Sequence, residues 1–422
     1  METQAIKIRR QLDKYQNVQG IMSYVNRASL IEEYQRQEFK KAKGVDGIDK
    51  LTYGLNFEAN ITDLHGRMKS FSYKPLPVRR TYIPKLNGKL RPLGIPAFED
   101  RLVQGAMAKI LNDIYENIFL NCSFGFRPGR GCHDAIRFID DIVMHKGINW
   151  ILEADIKGFF DNVNHDWLMK FLGHVIKDKN FLRYIKRFLI AGIMEDGTLR
   201  DSTEGTPQGG LISPVLANVY LHYVLDLWVK YVVIPQSNGK VYYVRYADDF
   251  VLLFESEEDA KETMVALKER LGKFSLEVAE DKTRILPFGP RSGTDEEFDF
   301  LGFTFFNTKT RYGKYRTGIR TCAKKFKAKI QAFKQWVHSK MHEDTGTLLK
   351  MINIKYRGHC QYYGINGNFK MIAKFRQYIM QITMKTIRRR RQNNKISWEW
   401  FANIWETFID KPTIRVNIWL HQ

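Results

Sequence analysis

Two adjacent carboxylates, Asp248 and Asp249 in the run Tyr246-Ala247-Asp248-Asp249, stand between two apolar stretches at 241–246 and 250–254. Apolar runs separated by so short a turn predict a β-hairpin with the acids at its exposed tip. Side by side, each carboxylate makes the other harder to ionise, and neither is cheaply buried. A cation is the partner such a tip calls for; an ordinary turn, where Asp is common, is the competing reading. A further acid, Asp155, lies at the end of an apolar strand candidate at 150–156. If that strand lies beside the hairpin, Asp155 meets Asp248 and Asp249 and completes an oxygen-rich pocket suited to Mg²⁺. Otherwise Asp155 is a strand-end residue that caps the next turn. Two ions about 4 Å apart would stabilise both an attacking hydroxyl and a departing pyrophosphate in phosphoryl transfer. Asp161, which follows Phe159-Phe160, reads as a structural or hydrogen-bonding residue.

The elements that must position these acids form a mixed pattern. Ile21, Val25, Ala28 and Ile31 recur at helical spacing, in a pattern that continues as a charged helix to Lys41, and Gly44–Asp49 breaks it. Prolines and alternating residues from Tyr73 to Pro96 predict a second hairpin, with Asn87-Gly88 as its turn. Asp100 is expected to open a long amphipathic helix through Val103, Met107, Ile110 and Ile114. Helices are expected at 166–176, 216–232 and 257–274. Beyond Leu301-Gly302-Phe303 come basic helices at 323–338, 345–363 and 369–391. The sum is an α+β fold with an antiparallel hairpin at its centre. Three regions are expected: a helical extension over 1–50, a central region over 51–306, and a basic helical domain over 307–422, with the boundary near Asn307.

The charge is placed unevenly. From Phe303 to Gln422, 25 Lys and Arg stand against 5 Asp and Glu, so this stretch carries nearly all of the net charge of +21. Cations interleaved with aromatics suit a folded grip on nucleic acid, where the cations neutralise phosphates. A solvated basic face or a membrane-surface helix is the bland alternative. Cys122, Cys132, Cys322 and Cys360 lack the close pairing of zinc or redox motifs, so neither disulfide nor zinc is expected. No stretch resembles a signal peptide or a membrane span, and the chain is expected to be soluble and cytoplasmic, with an organelle as the other setting.

In this order, Asp155-Ile156-Lys157-Gly158-Phe159-Phe160-Asp161, Gly205-Thr206-Pro207-Gln208-Gly209-Gly210 with Ile212-Ser213-Pro214, Tyr246-Ala247-Asp248-Asp249 and Leu301-Gly302-Phe303 resemble the motifs of reverse transcriptases. The match is nearest to the proteins encoded by group II introns. Lys43-Gly44-Val45-Asp46-Gly47-Ile48-Asp49 resembles the extra N-terminal motif of that group. Arg91-Pro92-Leu93-Gly94-Ile95-Pro96 and Ser123-Phe124-Gly125-Phe126-Arg127-Pro128 resemble its fingers. Tyr356-Arg357-Gly358-His359-Cys360-Gln361-Tyr362-Tyr363 and Arg388-Arg389-Arg390-Arg391, followed by Ser397-Trp398-Glu399-Trp400, resemble its thumb and maturase domain. The resemblance implies a right-hand polymerase with fingers, palm and a helical thumb. It also implies RNA-directed DNA synthesis with two Mg²⁺ ions, or Mn²⁺ in their place, on Asp155, Asp248 and Asp249. Template and intron RNA, a DNA primer or target, and dNTPs are the implied partners, with no membrane.

Other residues carry roles through the same resemblance. Lys85 and Arg91 flank the Asn87-Gly88 turn and would reach the triphosphate, or else are solvated hairpin charges. Phe160 would lie beneath the incoming sugar and exclude a 2′ hydroxyl, unless it belongs to the core. Gln208 would contact nucleotide or template, against a purely structural turn. Lys282 is a candidate general acid near the pyrophosphate, or an ordinary surface lysine. Arg388, Arg389, Arg390 and Arg391 would bind RNA, or form a solvated helix end. Relatives with a DNA endonuclease carry a further cysteine-paired domain, so a form without endonuclease is expected. A free-standing reverse transcriptase of phage defence or repair, and a splicing factor without catalysis, are the alternatives.

Overall fold

The apolar stripe of an amphipathic helix has to be covered. In Phe98–Tyr115 that stripe, with Leu102, Val103, Met107, Ile110, Leu111 and Ile114, is wholly inside the core. The structure is a computed structural model and describes residues 3–84, 90–195, 198–200, 205, 209–390 and 397–419. The helices Gln4–Tyr15 and Arg27–Arg36 pack on Phe98–Tyr115. The helix does not open at Asp100 as the pattern suggests. It begins at Phe98, whose N–H donates to Asp46 Oδ2 at 3.2 Å, so a carboxylate from the Gly44–Asp49 loop meets its positive end. Asp100 turns into the core, where it accepts from the Tyr73 hydroxyl and from the Leu76 N–H. The expected helix up to Lys41 is also shorter. A 3₁₀ turn, Ile21–Tyr24, gives way to Arg27–Arg36, restarted by a reciprocal Asn26–Ser29 capping box.

In chain order the strands are β1 (Val78–Pro84), β2 (Leu90–Ile95), β3 (Trp150–Asp155), β4 (Ile193–Glu195), β5 (Thr198–Arg200), β6 (Val241–Tyr246), β7 (Asp249–Phe254), β8 (Arg284–Pro287), β9 (Glu297–Phe300), β10 (Phe303–Lys309) and β11 (Tyr315–Thr321). Among the described residues they form three sheets, ordered β2-β1-β4-β5, β6-β7-β3-β8 and β11-β10-β9. The β1–β2 hairpin is antiparallel from Arg79↔Ile95 to Pro84↔Leu90. Its expected turn, Asn87-Gly88, lies outside the described residues. The expected helices appear as His165–Val175, Glu257–Gly272 and a helical path from Ser213 to Gln236. That path contains two π-turns, His222–Asp226 and Val229–Val233. The fold is α+β.

The chain divides into two compact units. One comprises Met1–Gly131, Leu152–Leu252 and Glu258–Ile285; the other comprises Cys132–Ile151, Leu253–Glu257 and Leu286–Gln422. The second unit carries β9–β11 and the helices Ala323–Ser339, Thr345–Tyr363, Phe369–Arg388 and Trp398–Phe408. The expected boundary at Asn307 falls inside β10. There the Asn307 side chain accepts from the Gly289 N–H and the Tyr315 hydroxyl and donates to the Thr294 carbonyl, which makes it a tie within a folded unit. Among the described residues no helix is long and apolar enough to cross a membrane.

Burial pushes the Asp100 carboxyl up to about 7, against hydrogen bonds from Tyr73 and Leu76 that pull it down. The folded chain thus keeps a proton that the unfolded chain releases near pH ~4. This group's contribution to stability therefore falls as pH rises from about 4 to about 7 and is level above that. Asp100→Asn removes the titration. In thermal unfolding from about pH 5 to about pH 8, the parental Tm is expected to fall relative to the Asn variant up to about pH 7 and to run parallel to it beyond. Curves parallel throughout would exclude this account.

Candidate active site

The neighbouring strands β6 and β7 are joined by the two residues Ala247 and Asp248, and Ala247 is left-handed at φ 58°. A side chain other than glycine seldom adopts that conformation unless its surroundings enforce it. Here a buried arginine does so. Arg245 grips Asp226 with two bonds, Nε to Oδ1 at 2.7 Å and Nη2 to Oδ2 at 2.6 Å. Its Nη1 donates to the Ala247 carbonyl at 3.1 Å and to Asn218 Oδ1 at 2.9 Å. Asn218 Nδ2 donates in turn to the Gly125 carbonyl at 2.7 Å. Gly125 lies so close that a Cβ there would come 2.4 Å from Ala247 N. Main-chain bonds from Phe124 N–H to the Arg245 carbonyl and from Arg245 N–H to the Cys122 carbonyl, both 2.8 Å, fix that approach. Burial opposes ionisation of Asp226, but the guanidinium outweighs it and holds the carboxyl below its ordinary value. Removing one partner of such a buried pair typically costs about 3–5 kcal/mol.

Asp155 closes β3, the neighbour of β7. The segment after Glu277 runs alongside it, with Lys157 N–H donating to the Glu277 carbonyl at 2.9 Å and Ala279 N–H to the Asp155 carbonyl at 2.8 Å. The following 3₁₀ turn, Glu280–Lys282, therefore delivers the Lys282 ammonium to Asp155 Oδ2 as a hydrogen-bonded ion pair. That hydrogen bond, helped by the charges of Asp155, Asp281 and Asp249, raises the Lys282 pKa against burial. Burial pushes the Asp248 carboxyl up, and the charge of Asp155 pushes it further, while a backbone hydrogen bond, Arg91 and Lys282 pull it back. Asp155, Arg91 and Lys282 thus all act on Asp248. Asp249 is exposed and acts on Lys282 through its charge. Among the described residues no three His, Cys, Asp or Glu side chains are already gathered as a metal cluster. Asp155, paired with the Lys282 ammonium, and Asp248, which feels the charge of Asp155, are oxygen donors of the kind a hard divalent cation prefers.

Phe159 and Phe160 form the 3₁₀ turn that follows Asp155. Phe159 faces the core against Tyr220, and Phe160 remains half-buried. Gly209, at φ 118°, approaches β2 so closely that a Cβ would sit 2.2 Å from the Gly94 carbonyl. This seats the loop carrying Gly209 and Gly210 on the strand that carries Arg91. Lys85 and Gln208 lie outside the described residues, as does Arg391. In the second unit, Arg388 and Arg389 are exposed; Arg390 is half-buried and donates to Thr345 Oγ1 at 3.3 Å. Reasoning from the sequence missed Arg245, Asp226 and Asn218. A signal was present: an arginine inside an apolar strand and an aspartate inside an apolar helix each demand a buried partner.

The family described as Reverse transcriptase (RNA-dependent DNA polymerase) matches residues 83–305, more than half of the chain. This span includes Asp155, Asp248, Asp249 and the Arg245 network beneath them. Protein YkfC of Escherichia coli (strain K12) is 36% identical over 307 residues, covering 65% of this chain and 78% of that protein. The group II intron-encoded protein LtrA of Lactococcus lactis subsp. cremoris is 32% identical over 441 residues, covering 84% of this chain and 72% of that protein. The putative COX1/OXI3 intron 1 protein of Saccharomyces cerevisiae is 34% identical over 227 residues, 53% of this chain and 26% of its own length. Reverse transcriptases use divalent metal ions, which the carboxylate pair suits. A match across the whole acid-bearing sheet, together with relatives covered over most of their length, places this RNA-directed DNA polymerase in the reverse transcriptase family, in its group II intron type.

Proposed function

We propose that this chain copies RNA into DNA by two-metal-ion nucleotidyl transfer at Asp155, Asp248 and Asp249, and that it assists group II intron splicing and retrohoming. The observation that supports the catalytic part is that Asp155 ends β3, the neighbour of β7, paired there with Lys282, while Asp248 in the β6–β7 turn feels the charges of Asp155, Arg91 and Lys282. These carboxylates would hold Mg²⁺, or Mn²⁺ in its place, and the bound ion would supply charge stabilisation for the attacking 3′ oxygen and the leaving pyrophosphate. Asp249, at the exposed side of the turn, completes the acidic set. Arg91, with Lys85 from the same hairpin, binds the triphosphate of the incoming dNTP. Phe160 lies under its sugar and excludes the 2′ hydroxyl, and Gln208 contacts nucleotide or template. Lys282, beside Asp155, is the candidate proton donor to the departing pyrophosphate.

The splicing part rests on charge. The second unit bears the basic stretch, with Arg388 and Arg389 exposed at the end of the helix Phe369–Arg388, and such cations bind RNA by neutralising phosphates. Template RNA, intron RNA, and a DNA primer or target are then the macromolecular partners.

Asp248→Ala is expected to lower primer extension on an RNA template by at least about 10²-fold while RNA affinity stays parental. Near-parental extension would refute the site. Phe160→Ala is expected to shift the dNTP/rNTP ratio toward ribonucleotides; a folded variant with an unchanged ratio would return Phe160 to a packing role. For the basic unit, Arg388→Gln/Arg389→Gln is expected to flatten the salt dependence of intron RNA binding. Each lost phosphate contact should change the logarithmic slope by about 0.7–0.9. Splicing should fall while short-template DNA synthesis persists. A parental slope with parental splicing would exclude these arginines from RNA binding.

A further inference from the structure

The chemistry proposed above does not explain why so much buried polarity is gathered directly beneath the acidic turn. Arg245 and Asp226 are 0% exposed, and Asn218 and His222 are 1% exposed. Exchanging a buried ion pair for apolar groups of the same volume is often neutral or stabilising, so the pair is better explained by the geometry it specifies. That geometry is directional. Three guanidinium nitrogens end on the two Asp226 oxygens, on Asn218 Oδ1 and on the carbonyl of Ala247, the left-handed residue of the turn. Asp226 closes the π-turn His222–Asp226, where the helix is locally widened, a feature frequent at functional sites. His222 Nδ1 stands 3.6 Å from the Asp226 oxygen that faces Arg245 Nη2. On the far side, Asn218 ties the same guanidinium to Gly125, which lies flat against the turn.

We infer that Arg245, clamped by Asp226 and Asn218, is a positioning residue for DNA synthesis. By fixing the Ala247 carbonyl it sets where Asp248 stands relative to Asp155, and so sets the affinity of the carboxylates for a divalent cation, with no contact of its own to substrate. This inference rests on the active-site reading above.

The test compares the full chain with Arg245→Lys, Asn218→Ala and Asp226→Asn, with Asp248→Ala as control. Lysine keeps the positive charge but offers one nitrogen in place of a fork, so it cannot serve both Asp226 oxygens and the Ala247 carbonyl together. The first readout is the Mg²⁺ concentration for half-maximal primer extension. The second needs no catalysis: amide hydrogen exchange over residues 247–250 without Mg²⁺. Arg245→Lys and Asn218→Ala are expected to raise the Mg²⁺ midpoint by about 10–100-fold, the range found when groups behind metal ligands are altered. Exchange at the turn should quicken, while RNA affinity and the KM for dNTP at saturating Mg²⁺ stay parental. Asp226→Asn should shift both readouts in the same direction. A merely structural role would lower Tm and loosen exchange throughout the unit without moving the Mg²⁺ midpoint. Should Arg245→Lys fail to fold, Asn218→Ala, which leaves the ion pair intact, decides. A folded variant with a parental midpoint and parental turn exchange overturns the inference. Activity surviving in Asp248→Ala would instead overturn the site on which it rests.

Discussion

Two like charges held 4 Å apart at the permittivity of a protein surface repel by on the order of 4 kcal/mol, so carboxylates do not gather at a sheet end unless something holds them. In this chain the holding is done from below. Asp248 follows a left-handed Ala247 whose carbonyl is pinned by Arg245, and Arg245 is pinned by Asp226 in the core. The repulsion is then reduced from the side by Lys282 on Asp155 and by the field of Arg91. The scaffold cation and the site cations have separate tasks. Arg245 has its donors committed to Asp226, Asn218 and Ala247 and is not accessible to substrate. Lys282 is mostly exposed and can exchange Asp155 for another partner.

Backbone meets backbone at Gly125 and at Gly209. Gly125 allows the chain after Ser123 to lie directly on the acidic turn, and Gly209 allows its loop to lie directly on β2. Alanine at either position would drive a Cβ into main-chain atoms that cannot swing aside, unlike the end of a flexible side chain. The loop of Gly209, the strand of Arg91 and the turn of Asp248 are therefore positioned by contact between main chains. Geometry of that kind is stiff, as a site needs when reacting atoms must be placed within a few tenths of an ångström.

Much of this was legible in the residues. The central hairpin followed from two apolar runs and a short turn, the strand of Asp155 from a third apolar run, and the helix Thr345–Tyr363 from its 3.6-residue spacing. What escaped was governed by contacts distant in sequence. Asp100 has the residue type of a helix start, yet its carboxyl is claimed by Tyr73 and Leu76, and Asp46 takes over the helix end. The change to basic helices after Phe303 suggests a boundary near Asn307, but in the structure Asn307 bonds to a backbone N–H, a carbonyl and a tyrosine hydroxyl inside a sheet. Neither outcome can be read from a local window, because each depends on which distant partner satisfies a polar side chain. The Arg245–Asp226 pair belongs to the same class.

The distribution of charge follows from the same repulsion. A site built around carboxylates is a poor electrostatic host for a polyanion, and a few local cations cannot both tune those acids and supply the affinity for a long phosphate backbone. Sequestering almost all of the excess positive charge beyond Phe303 separates the two requirements. Affinity can then come from many weak, salt-sensitive contacts to phosphates, each dispensable, while the acidic site depends on a handful of bonds of fixed length. The two parts should differ in how they fail. On the proposed reading, loss of a single cation in the basic stretch would subtract one phosphate contact among many, whereas loss of a single bond beneath the turn would free the two acids to move apart.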